Sequence, residues 1–163
     1  MQMPQTLIIL GKKYSIEIFP KRFLKNKVLI EKDRLIIFLA ENESNSKAKL
    51  LLETFLIEFA RKYISARVNY FVEKYDFSFN KIAIKEQKSR WGSCSSLKNL
   101  NFNWRLIFAP VDVIDYVIVH ELSHTRQMNH SADFWNEVKN CMPEFKVQRD
   151  WLKSNGKQLF KVF

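Results

Sequence analysis

Glycine and proline are scarce in this 163-residue chain, three and four copies, which excludes collagen-like, linker-rich and low-complexity organisations. Cysteine is scarcer still: Cys94 and Cys141 cannot supply a disulfide framework, so a reducing cytoplasm is the expected compartment. The opening MQMPQTLIIL lacks a basic n-region, a long apolar stretch and a small-residue cleavage site, and no signal peptide is expected. No apolar run approaches the roughly 20 residues a membrane span needs. Histidine is also rare, with three copies. All three fall in one short segment.

What remains is an ordinary globular composition, 47% hydrophobic and 27% charged, at a length that suits one domain with a real core. The charge is unusual. Lys and Arg exceed Asp and Glu by 27 to 17, a net +10, and residues 1–90 carry 18 basic against 10 acidic side chains. Such a balance favours anionic partners, among them nucleic acid through the basic N-terminal half, although scattered lysines also serve simply to keep a surface solvated.

Short strands are expected at LIIL (7–10), YSIEIF (14–19), KVLIE (27–31) and RLIIFL (34–39), with a tight turn at Lys32-Asp33. Read in order, they form a β-meander over 1–45, closed by the polar stretch ENESNS. From Lys47 to about Tyr75 neither Gly nor Pro occurs and apolar residues recur at helical spacing. Ala48, Leu51, Phe55, Phe59, Tyr63 and Phe71 mark one side of that helix, widened by Leu52, Leu56, Ile64 and Val68. Strands are expected at 81–86 and 100–107, with SRWGSCSS as a connection between them. Pro110 opens a helix from about Val111 to Met128, with Asp112 and Asp115 at its positive end. Ser131 caps a helix over 132–141, and a last one runs over 144–154 to stop near Gly156. This is an α+β protein.

The histidines lie in HELSHTRQMNH. His120 and His124 frame Glu121 as H-E-x-x-H, and residues four apart on a helix share a face, so both imidazoles can reach one metal ion. Neutral imidazoles suit Zn2+, and Glu121 stands beside the ion where it can take a proton from the bound water. A catalytic zinc needs a third protein ligand. His130 follows His124 by six residues, beyond the expected helix end, and Asn129 is the residue best suited to a left-handed turn there, since the position that metzincins fill with Gly is Gln127. Glu144 is the competing ligand, with Asp133 and Glu137 more remote.

The run SRWGSCSSLKNLNFNWRLIFAPVDVIDYVIVHELSHTRQMNHSADFW resembles the YgjP-like family of bacterial metallopeptidase-like proteins, and at longer range the SprT-like and WLM families. The match is close over 89–135. It implies a zincin-like core over 46–163, a small antiparallel sheet packed with a long helix and the HExxH helix. It also implies one Zn2+ per chain, held by His120, His124 and His130, with Glu121 as general base. Ser123 stands where such motifs often have Ala.

Around this centre, Arg90 and Arg105 are candidates to stabilise an oxyanion or hold a phosphate, and each has an alternative as a structural arginine. Asn103 is expected on the polar face of the 100–107 strand, whose edge is a candidate to pair with an extended substrate. Tyr116, one turn before His120, is a candidate cleft residue. Trp91, Trp104, Phe134 and Trp135 are expected in the core, and Cys94 as a small buried thiol. Three functions follow: a zinc metallopeptidase; a nucleotide pyrophosphatase or phosphohydrolase on the same metal; or a nucleic-acid-associated module with structural zinc. Peptides, nucleotides and nucleic acid are the corresponding partners. No membrane partner is expected, and no heptad pattern specifies an oligomer.

Overall fold

A computed structural model describes residues 3–22 and 25–162. Four strands come first: β1 (Thr6–Ile9), β2 (Lys12–Lys21), β3 (Lys27–Glu31) and β4 (Arg34–Ala40). They form one sheet in the order β1-β2-β4-β3. The strands lie where the alternation puts them, but they do not form a meander. β2 runs parallel to β4, pairing Ser15 with Arg34 through Lys21 with Ala40, and β3 is displaced to the far edge. Alternation fixes which side chains share a face, whereas the choice of neighbour depends on contacts distant in sequence. The turns are tight. Leu10 and Gly11 both take positive φ (52° and 78°), the pattern of a two-residue hairpin turn, and Lys32 does so at 57°.

α1 (Asn45–Tyr75) is capped by Ser44, whose hydroxyl accepts from the Lys47 amide. Its fully buried stripe is Ala48, Leu52, Leu56, Ala60, Ile64, Val68 and Phe71. Leu51, Phe55, Phe59 and Tyr63, expected at the centre of the apolar side, flank that stripe half-buried. The helix is therefore the spine of a continuous core that draws residues from Leu7 to Leu159. Among the described residues, no helix is long and apolar enough to cross a membrane.

The second sheet has the order β5-β7-β6, from β5 (Lys81–Lys85), β6 (Gly92–Cys94) and β7 (Asn99–Asn103). Two expectations change here. The connection SRWGSCSS contains β6, antiparallel to β7, and β5 pairs with β7 in parallel, so the sheet is mixed. The strand expected over 100–107 stops at Asn103, whose side-chain carbonyl accepts from the Arg105 amide and starts a 3-10 helix, Trp104–Phe108. All five of those residues are buried, so their apparent alternation had no solvent face to report.

α2 (Val111–Ser123) is apolar on nearly every face and lies deep in the molecule. Asp115, read as a helix-dipole carboxylate, instead binds the Arg67 guanidinium of α1 through both oxygens, at 2.8 and 2.6 Å. α3 (Ala132–Cys141) starts at Ser131 as expected, with its hydroxyl accepting from Phe134 N. α4 (Phe145–Leu159) does not stop near Gly156. A Cβ there would lie 3.1 Å from Trp91 Nε1, so the glycine admits the indole, which stacks on Phe160 at 4.1 Å.

Candidate active site

α2 ends at Ser123, five residues short of the expected Met128. The Thr125 hydroxyl donates to Leu122 O at 2.6 Å, and the Arg126 and Gln127 amides both return to Ser123 O. This tightened end reverses the chain with no left-handed residue: Asn129 and Gln127 are absent from the positive-φ positions. Gln127 contributes its carbonyl oxygen, 3.0 Å from His124 Nδ1. An Nδ1–H donated there leaves Nε2 unprotonated, with its lone pair available to a metal.

Arg126 locks the turn in place. Its guanidinium donates to Tyr75 O and Asp76 O at the end of α1 (2.8 and 2.9 Å), pairs with Glu137 at 2.9 Å and lies 4.3 Å above the Phe77 ring. Glu137 is thereby committed to structure. The chain then delivers His130 to the site immediately before the Ser131 cap.

The donor atoms of His120, His124 and His130 all lie within 4.8 Å of one another, and they form the only such group of His, Cys, Asp or Glu among the described residues. His120 Nε2 and His130 Nε2 are 3.2 Å apart. Fully buried Phe134 supports all three rings: His124 stacks on it at 4.4 Å, while His120 and His130 meet its edge at 4.9 and 4.8 Å. Phe134 was expected in the core, and its contact with every imidazole is what the sequence did not reveal. Glu144 caps α4 at the surface, outside the cluster, and Asp133 is likewise exposed.

Burial and the neighbouring imidazoles lower the His120 pKa to about 3, and burial lowers that of His124. Both rings are therefore neutral at physiological pH with lone pairs to offer. His120 Nδ1 is buried and finds no partner. Three imidazoles converging at this spacing fit a borderline-soft divalent cation.

Glu121 leaves α2 beside the histidines, 7% exposed, with burial raising its pKa to about 8. It packs under β6. A Cβ on Gly92 would lie 2.7 Å from Glu121 Cγ and 2.8 Å from Oε1, so the strand reaches the carboxylate only because residue 92 has no side chain. Gly92 was not among the residues expected at the site. A glycine in a short connection carries no local signal of this contact.

Two adjoining cavities open over the centre. One, of about 310 Å³, is lined by Gly92, Ser93, Cys94, Met128 and the three histidines; the other, of about 240 Å³, by Trp91, Tyr116, Val117 and Leu152. Arg90, Gly92, His120 and Glu121 border both. Tyr116 is thus a cleft residue, its ring 5.9 Å from that of His120 and its pKa raised by burial to about 12. Cys94 lines the cleft as a half-buried thiol whose pKa burial raises to about 11.

The structure separates two other candidates from the cleft wall. Asn103 is fully buried and donates to Gln87 O and Arg90 O, which makes it a support for the loop carrying Arg90. Arg105 is buried, bonded to Glu86 at 2.6 Å and stacked on Trp104 at 4.6 Å. Its alternative reading as a structural arginine describes it. The edge strand beside the histidines is likewise not 100–107, since β7 is central; it is β6.

Among solved structures, the chain is similar to the metallopeptidase zymogen abylysin of Pyrococcus abyssi, with 17% identity and a TM-score of 0.52 over 56% of this chain and 93% of that one. It is also similar to the metallopeptidase zymogen jannalysin of Methanocaldococcus jannaschii, with 29% identity and a TM-score of 0.48 over 58% of this chain and 96% of that one. The first likeness bears out a zincin-like α+β fold. Comparison with curated proteins finds no match. Residues 1–155 match the model of the YgjP-like metallopeptidase domain, and the chain accordingly belongs to that family of metallohydrolases.

Proposed function

We propose that this protein is a zinc-dependent peptidase in which His120, His124 and His130 hold one ion and Glu121 is the general base. The observation that carries the reading is the convergence of three histidine nitrogens beside a buried carboxylate in an accessible cleft. Bound zinc supplies a Lewis acid that polarises a scissile carbonyl and acidifies water. Glu121 takes the proton from a water in the cleft and passes it to the leaving amine. Burial alone favours its protonated form, and a cation at the histidines acts in the opposite sense, keeping the carboxylate ionised.

The remaining residues serve alignment. β6 borders the cleft as an edge strand, and its free main-chain groups suit pairing with an extended peptide. Tyr116 retains its proton and can donate a hydrogen bond to a substrate in the smaller cavity. Among the described residues that line the two cavities, Arg90 is the one arginine. With Arg105 engaged by Glu86, a polyphosphate would meet one arginine rather than two, which favours a peptide over a nucleotide. A reducing cytoplasm is the proposed compartment, because two cysteines cannot supply a disulfide framework.

The test is digestion of a mixed peptide library by zinc-loaded protein, read by mass spectrometry beside Glu121→Gln at equal zinc content. Cleavage by the parent and none by the variant supports the assignment. Equal cleavage by both removes Glu121 from it. Pyrophosphate or phosphate release from nucleoside triphosphates, with no peptide cut, transfers the site to phosphohydrolysis.

A further inference from the structure

The four-stranded sheet has a second face that the core does not use. Leu35, Ile37 and Leu39 of β4 point inward and are 0%, 0% and 6% exposed. Ile36, itself 6% exposed, and half-buried Phe38 point the other way, beside Glu17 and Phe19 of β2 and opposite Leu29 and Lys27 of β3. One end of this face is electrically closed, because Arg34 is paired with both Glu17 and Glu31.

The other end is open. Lys21, Lys25, Lys27 and Phe38 line a pocket of about 190 Å³. Lys21 Nζ lies 4.5 Å over the Phe38 ring, and Phe19, 41% exposed, lies 6.1 Å from it. The neighbouring carboxylates are already engaged: Glu41 pairs with Arg22 at 3.0 Å, and Glu43 accepts from Asn26 at 3.5 Å. Among the described residues, none of the three lysines has a carboxylate partner within salt-bridge distance.

Two adjacent phenyl rings within a rim of unpaired ammonium groups define the chemistry of an occupant. It must carry repeated negative charge and flat apolar surfaces at once. An acidic peptide satisfies the lysines and leaves the rings uncovered. A duplex offers phosphates but keeps its base faces stacked inside. Single-stranded nucleic acid presents both, with phosphates for lysines and bases for stacking on aromatic side chains. We propose that this end of the sheet, built from Phe19, Phe38, Lys21, Lys25 and Lys27, binds single-stranded nucleic acid. The site stands apart from the histidine centre, and the proposal does not rest on the peptidase reading.

The experiment is fluorescence anisotropy of labelled dT12 and rU12 on the full chain at several salt concentrations, beside a 12-base-pair duplex and an acidic peptide of equal charge. Phe19→Leu retains an apolar side chain at an exposed position and is expected to weaken binding at least about fivefold through lost stacking. Replacing Lys21, Lys25 and Lys27 together by Ala is expected to reduce the salt slope by about 2, at about 0.7 per phosphate for single strands. Thermal unfolding and zinc content, unchanged in both variants, establish that the fold is intact. Glu121→Gln is expected to bind dT12 like the parent. The proposal is overturned if neither oligomer binds at low salt, if either variant binds like the parent, or if the duplex or the acidic peptide binds as tightly as the single strands.

Discussion

Replacing Gly92 by Ala tests the contact between β6 and Glu121 without requiring a known substrate. The added Cβ would meet Glu121 Cγ at 2.7 Å and Oε1 at 2.8 Å, well inside ordinary contact, so one side must move. Overpacking of this kind costs about 1–3 kcal/mol. Residue 92 is not at positive φ, so alanine also gains about 0.4–1 kcal/mol by restricting the unfolded chain. The expected net loss is about 1–2 kcal/mol, which lowers Tm by about 2–8 °C in a chain of this size. In a Glu121→Ala background the clashing Cγ and carboxylate are gone, and Gly92→Ala should become neutral or stabilising. The assay is thermal unfolding of the four proteins of this double-mutant cycle, stripped of metal, with a coupling of about 1–3 kcal/mol expected. An equal Tm change in both backgrounds would refute the argument that Gly92 makes room for the carboxylate. In the zinc-loaded enzyme, displacement of Glu121 by even 1 Å is expected to reduce turnover by about 100-fold.

Other outcomes follow from the same geometry. His130→Ala should lose zinc measured by elemental analysis, and Glu144→Ala should keep about one ion per chain; the reverse result would replace the third ligand. Arg126→Ala frees the turn between His124 and His130 from α1 and α3, and should weaken zinc binding by about tenfold in competition with a chromophoric chelator. In metal-free protein, folded Glu121 holds a proton up to about pH 8 that the unfolded chain releases near 4.5, so its contribution to stability is lost as pH rises between them. His120 acts in the opposite sense, losing its contribution as pH falls from 6.5 towards 3. His124, whose pKa burial also lowers, acts with His120, and both are neutral in the folded and the unfolded chain above about pH 7.5. From there towards pH 8 the Glu121 effect dominates: apo-protein Tm should fall as pH rises, and Glu121→Gln should flatten that slope. A parent slope retained in the variant would assign it to another group.

The sequence alone carried most of what is local. Spacing of four puts His120 and His124 on one helical face, apolar periodicity marks α1, and the Ser131 cap is set by hydrogen bonds within a few residues. These features depend on neighbours along the chain, so they are readable from it. Tertiary structure decided the rest. Strand partners in both sheets, the burial of Asn103 and Arg105 and the exclusion of Glu144 depend on segments far apart in sequence. The same holds for Phe134 beneath all three imidazoles, Arg126 tying the ligand turn to α1, and Gly92 against Glu121. A residue type states what a side chain can do. Which group it meets is set when distant segments pack together, and at this site that packing orients the histidines and confines the carboxylate.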